Sequence, residues 1–178
     1  MSDFHDLIER EIPRLRRYAR ALTRSADRAD DLVQETLLRA VAKGHLWQLG
    51  TDIRAWLFTI MHNQHVNMVR RAIREEATVD IEQVSSSMAA TTDPTGSRQL
   101  RELERALGRL PSEQREVILL VGLEGLSYES AAQILGVPVG TVRSRLSRGR
   151  DALRRLMDLP EGANSATAAA HERVGLAA

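Results

Sequence analysis

The chain has 178 residues, enough for one or two small domains, and its 25 basic and 24 acidic residues leave a formal net charge of +1. So small a net charge rules out a polycation that coats nucleic acid along its whole length, and any such site must be local. The absence of cysteine excludes disulfides and thiolate metal sites; no apolar run approaches the ~18 residues of a membrane span, and no basic, apolar secretory leader is seen.

The motif pattern is helical throughout, without a convincing alternating strand. Leu7, Ile8, Ile12, Leu15, Ala19 and Leu22 recur at helical spacing and argue one helix, which Pro13 is expected to kink or divide. Ser25 and Asp27 offer caps to a second helix carrying Leu32, Val33, Leu37, Ala40 and Val41, with Gly44 a stop. A loop with Gly50, Thr51 and Asp52 leads to a third helix through Ile53, Trp56, Leu57, Ile60, Met61, Val66 and Val69, ending in Arg70 and Arg71. Residues 76–97 are small, polar and broken by Pro94 and Gly96, the composition of a flexible linker. Leu100, Leu103 and Leu107 mark the next helix, and Pro111 can open another that carries Val117, Ile118, Leu120 and Val121. The expected architecture is all-α: two small helical domains, 1–75 and 98–159, joined by the linker 76–97 and followed by a tail, 160–178.

Residues 125–153 are the most informative stretch. Ser127 is a good N-cap for a short helix through Leu135, Gly136 suits a turn that needs positive φ, and Pro138 fits only the first turn of a following helix. Val142, Leu146, Gly149 and Leu153 then trace one face, and Arg143, Ser144, Ser147, Arg148 and Arg150 fall largely off it. Between residues 138 and 155 there are six arginines and one acid, Asp151, whereas solvated helices mix signs more evenly. Arginine pairs bidentately with guanine, and serine and arginine hold phosphates, so a helix-turn-helix reading a DNA major groove is expected.

On the second helix, Asp31, Gln34, Glu35 and Leu38 lie three or four apart and can share a face suited to a basic helical partner. His62 and His65 could share a face too, but no third ligand stands at persuasive spacing, so no metal is expected. No nucleophile–base pair or glycine-rich phosphate loop appears, and neither catalysis nor a cofactor is expected.

Two separated stretches resemble bacterial sigma factors of the extracytoplasmic-function (ECF) group. One is Asp27-Arg28-Ala29-Asp30-Asp31-Leu32-Val33-Gln34-Glu35-Thr36-Leu37-Leu38-Arg39-Ala40 with Arg54-Ala55-Trp56-Leu57-Phe58-Thr59-Ile60-Met61-His62-Asn63; the other is Leu110-Pro111 through Gln114-Arg115-Glu116, then Gly125 to Arg150. The first is especially similar to the EcfG-like general-stress-response members. The resemblance implies that residues 1–75 are sigma region 2 and residues 98–159 sigma region 4. Asp31, Gln34, Glu35 and Leu38 would then grip the β′ clamp of core RNA polymerase, and region 4 would meet the β flap. Trp56, Asn63, Arg70 and Arg71 would serve the −10 element, opened and read partly as single strand. Thr141, Arg143, Ser144, Arg145 and Arg148 would serve the −35 duplex. It also implies control by an anti-sigma factor, small and soluble in the stress-response group, and a cytoplasmic location without membrane contact. An ordinary helix-turn-helix regulator, with residues 1–75 as a dimerisation or sensing module, is the competing reading.

Overall fold

The computed structural model describes residues 2–48, 50–78 and 98–159; the expected tail and nearly all of the expected linker lie outside them. Among the described residues seven α-helices follow in order: α1 (Ser2–Thr23), α2 (Ala26–Ala42), α3 (Ile53–Thr78), α4 (Arg98–Arg109), α5 (Ser112–Ile118), α6 (Tyr128–Leu135) and α7 (Val139–Leu156). A 3₁₀ turn, Gly44–Leu46, follows α2, and a π-helical turn, Leu119–Leu123, continues α5. No strand occurs among the described residues.

The first three helices pack on one another, and α5, α6 and α4 pack on α7. Leu15, Tyr18, Leu32, Leu57, Phe58 and Met61 are fully buried in the first group, Val117, Leu120 and Val142 in the second. Tyr18 and Phe58 meet edge to face, with ring centroids 5.0 Å apart, the arrangement favoured by aromatic quadrupoles.

Pro13 does not divide α1, which is one helix from Ser2 to Thr23. The proline is exposed, so the carbonyl its missing N–H leaves free can turn to water. Ile8 on one side and Leu15, Tyr18, Ala19 and Leu22 on the other are buried and hold both halves in register.

The helix ends follow local chemistry. The Ser25 hydroxyl accepts from the Arg28 N–H at 3.4 Å and the Ser127 hydroxyl from the Ser130 N–H at 3.0 Å. Asp52 accepts from the Arg54 and Ala55 N–H groups at 2.9 and 3.2 Å, opening α3. Lys43 is the C-cap of α2. Gly136 ends α6 at φ 65°, ψ 35°, left-handed backbone that a side chain would strain.

Gly149 lets α7 approach α5. A β-carbon there would lie 2.6 Å from Ile118 Cδ1 and 3.3 Å from Gln114 Cβ. Gly149→Leu should therefore cost about 1–3 kcal/mol, as overpacked helix crossings do, read as a lower thermal midpoint; an unchanged midpoint would show the crossing to be loose.

Candidate polymerase and nucleic-acid interfaces

The second helix turns Ala29, Leu32, Val33, Thr36 and Ala40 inward. The opposite side carries Asp31 and Gln34, both exposed, and Leu38, 68% exposed. Glu35 shares that side and pairs with Arg39 at 2.8 Å. Such a surface pair is worth little, so Glu35 can exchange it for a partner's cation. All four residues singled out from the sequence thus share an outward face. Val41, 53% exposed, continues it. It could have been anticipated, because Val41 lies three residues beyond Leu38 on the same helix.

Along α3 the expected −10 residues divide. Trp56 is half-buried against the core, with its ring centroid 6.1 Å from that of Phe4, a packing position. Asn63, Arg70 and Arg71 are exposed, and Asn67, between them on the same face, is exposed as well. Asn67 was missed although it stands four residues after Asn63.

On α7, Val142, Leu146 and Gly149 are buried. Arg143, Ser144, Ser147 and Arg148 form the exposed side. Ser144 donates to the Thr141 carbonyl at 3.0 Å, and Arg148 reaches the Ser144 carbonyl and hydroxyl, both at 3.3 Å. Thr141 is half-buried. Arg145 is turned away: its side chain is 21% exposed and pairs with Glu113 of α5 at 3.2 Å. Arg143 lies over the ring of Tyr128, with Cζ 5.8 Å from the centroid.

The two helical groups touch. The third helix packs on α6, and α1 packs on the π-helical turn. Arg17 donates through Nε and Nη2 to Glu124 Oε1 at 3.1 and 2.9 Å, and the Glu124 side chain is fully buried. His62 Nδ1 is 3.0 Å from Glu116 Oε1. Arg115 donates to the carbonyls of Leu107, Gly108 and Leu110, and across the boundary to Leu22 O at 3.3 Å. Glu116 and Glu124 are buried acids, a burial that their spacing in the sequence does not signal. Burial raises the Tyr18 hydroxyl pKa well above its ordinary value, and both acids add to the rise.

His65 faces the same contact. Burial lowers its pKa; nearby Glu116 opposes the shift, while His62 and Arg115 reinforce it. A histidine whose folded pKa is lowered binds a proton less readily than in the unfolded chain. The resulting penalty is absent well above the ordinary value of about 6.5 and grows as pH falls through it. Between about pH 7.5 and 5.5 the urea midpoint should fall more for the natural chain than for His65→Gln. Equal falls would remove His65 from the balance.

Residues 8–62 match the Sigma2 domain of PhyR, and residues 100–153 match Sigma-70 region 4. The chain is 43% identical over 156 residues to the ECF RNA polymerase sigma factor EcfG of Rhodopseudomonas palustris (strain TIE-1), covering 88% of this chain and 86% of that protein. Among solved structures, the sigma factor RpoE in complex with the anti-sigma factor NepR from Bartonella quintana is similar at a TM-score of 0.77 and 38% identity, over 90% of this chain and 100% of that one. CnrH in complex with the cytosolic domain of CnrY follows at 0.64 and 30%, over 87% of each chain.

An all-helical chain with a region 2 and a region 4 defines a transcription initiation factor rather than an enzyme. The chain belongs to the ECF sigma factors of the sigma-70 family, the subunits that give RNA polymerase its promoter specificity. Among the described residues, no helix is long and apolar enough to cross a membrane.

Proposed function

We propose that residues 1–75 act as region 2 and residues 98–159 as region 4, with the interfaces divided as follows. The outward face of α2, Asp31, Gln34, Glu35 and Leu38, docks on the β′ clamp of core polymerase, and region 4 meets the β flap. Asn63, Arg70 and Arg71 serve the −10 element, with Trp56 bracing their helix from the core side. Arg143, Ser144 and Arg148 read or hold the −35 duplex, with Thr141 at the start of the helix. Arg145 acts there only after it releases Glu113. The observation that carries this reading is one chain presenting an outward acidic–apolar face on α2 and an exposed arginine–serine face on α7.

Two promoter elements about 25 base pairs apart lie roughly 85 Å from each other along B-form DNA at 3.4 Å per pair. Two modules held by contacts near 3 Å at Arg17–Glu124 and His62–Glu116 cannot reach both. The packed arrangement is therefore the form off DNA, and the modules part when polymerase is engaged. Relatives solved with the anti-sigma factor NepR and with the cytosolic domain of CnrY support control by an anti-sigma factor; in this reading it is small and soluble and favours the packed form. Similarity to EcfG supports a stress-responsive regulon, and the cytoplasm is the compartment where polymerase is met.

Run-off transcription from a randomised promoter library, with core polymerase and with or without the chain, tests the assignment. Initiation only in the presence of the chain, from a shared two-part motif, is expected. Tight duplex binding by the chain alone, with no initiation, would overturn it.

A further inference from the structure

The arginine over Tyr128 differs from its neighbours Arg145 and Arg148 on α7. Arg145 is held by a carboxylate and Arg148 by its own helix, so both spend N–H donors within the protein. Arg143 is held by an aromatic face instead. A guanidinium held by an aromatic face spends no N–H donor on a protein acceptor there, and those donors are the ones that form a fork onto guanine O6 and N7. The platform itself is fixed. Tyr128 is the first residue of α6, follows the Ser127 cap and is half-buried against the core.

We propose that Tyr128 is a positioning residue for base recognition: its ring selects the Arg143 conformer that reads one base pair of the −35 element. A free arginine carries about 2 kcal/mol of rotamer entropy. Restricting that freedom before binding sharpens discrimination without a contact between Tyr128 and a base. The inference rests on α7 reading −35 duplex.

The test uses holoenzyme assembled from core polymerase and the full chain, on promoters carrying every single-base change in the −35 element. Arg143→Ala identifies its position as the one where base preference collapses. Tyr128→Leu should flatten preference at that position two- to fivefold, the equivalent of about 0.5–1 kcal/mol for an exposed cation–π contact at 1.4 kcal/mol per tenfold. Other positions should keep their preference, Tyr128→Phe should match the natural chain, and Tyr128→Leu should add nothing to Arg143→Ala. If melting shows that the leucine variant does not fold, Tyr128→Met replaces it, because methionine fills irregular core space.

Uniform loss at every position would make Tyr128 merely structural. Equal loss in Tyr128→Phe would assign the effect to its hydroxyl, and additive effects of the two substitutions would separate it from Arg143; each of these overturns the proposal. If the natural holoenzyme shows no −35 preference, the duplex-reading assignment itself fails. If Arg143 sets a preference that Tyr128→Leu leaves intact, only the positioning role fails.

Discussion

Leu38→Asp should weaken binding to core polymerase about 30-fold or more and leave the chain folded. Leu38 is 68% exposed in the middle of the outward face of α2, flanked by Gln34, Glu35 and Val41. An apolar anchor at the centre of an interface typically contributes about 2 kcal/mol, and 1.4 kcal/mol is tenfold in affinity. The new carboxylate would also have to be desolvated beside Asp31 and Glu35, so the change adds repulsion to lost burial. The intramolecular cost is small, because most of the side chain is already in water. Asp31→Ala combined with Glu35→Ala should act more weakly, about fivefold, and mainly on the association rate, as rim charges do. Fluorescence anisotropy of labelled chain titrated with core polymerase measures both. Unchanged affinity for Leu38→Asp, in a chain with its normal thermal midpoint, would move the docking face elsewhere.

The largest stability effect is expected at Arg115. Its guanidinium donates to three carbonyls at and just beyond the end of α4 and to Leu22 O at the end of α1. Helix ends leave carbonyls without intrahelical partners, and here one side chain satisfies both ends together. Hydrogen bonds to a charged donor contribute about 1.5–3 kcal/mol each when well formed. The group is only half-buried, so screening reduces the sum. Arg115→Met should cost about 3 kcal/mol, roughly 6–12 °C in midpoint at about 2–4 °C per kcal/mol for a chain of this size. Arg115→Lys should recover less than half, because an ammonium lacks the planar fork. Circular dichroism melts read both variants, and a loss under about 1 kcal/mol for Arg115→Met would show that water replaces the guanidinium freely.

Local grammar made much of this legible. The Ser127 cap, the left-handed Gly136, Pro138 and the Val142–Leu146–Gly149 stripe all stand where spacing and backbone chemistry placed them. The α2 face was legible for the same reason, since residues three and four apart must share a side. Contacts between distant segments were not. Arg145 looked like its neighbour Arg143, and only the packing of α5 on α7 brings Glu113 to it. Nothing local marks Glu116 and Glu124 as buried, and a partner 107 residues away from Glu124 leaves no period in the sequence. Pro13 failed as a helix breaker because buried residues on both sides of it, unseen by a local rule, offset its cost.

Lys43 is the single lysine of the chain, and it caps the end of α2 beside Val41. Amine chemistry on this protein therefore has one side-chain target, and that target ends the helix whose outward face carries Leu38 and Val41. Acetylation there would remove a positive charge that favours the carbonyl end of the helix. An amine-directed fluorophore coupled above neutral pH would report from the same spot. Every other basic side chain but the histidines is a guanidinium, inert to those reagents, so the arginine-rich α7 would keep its full charge through either reaction.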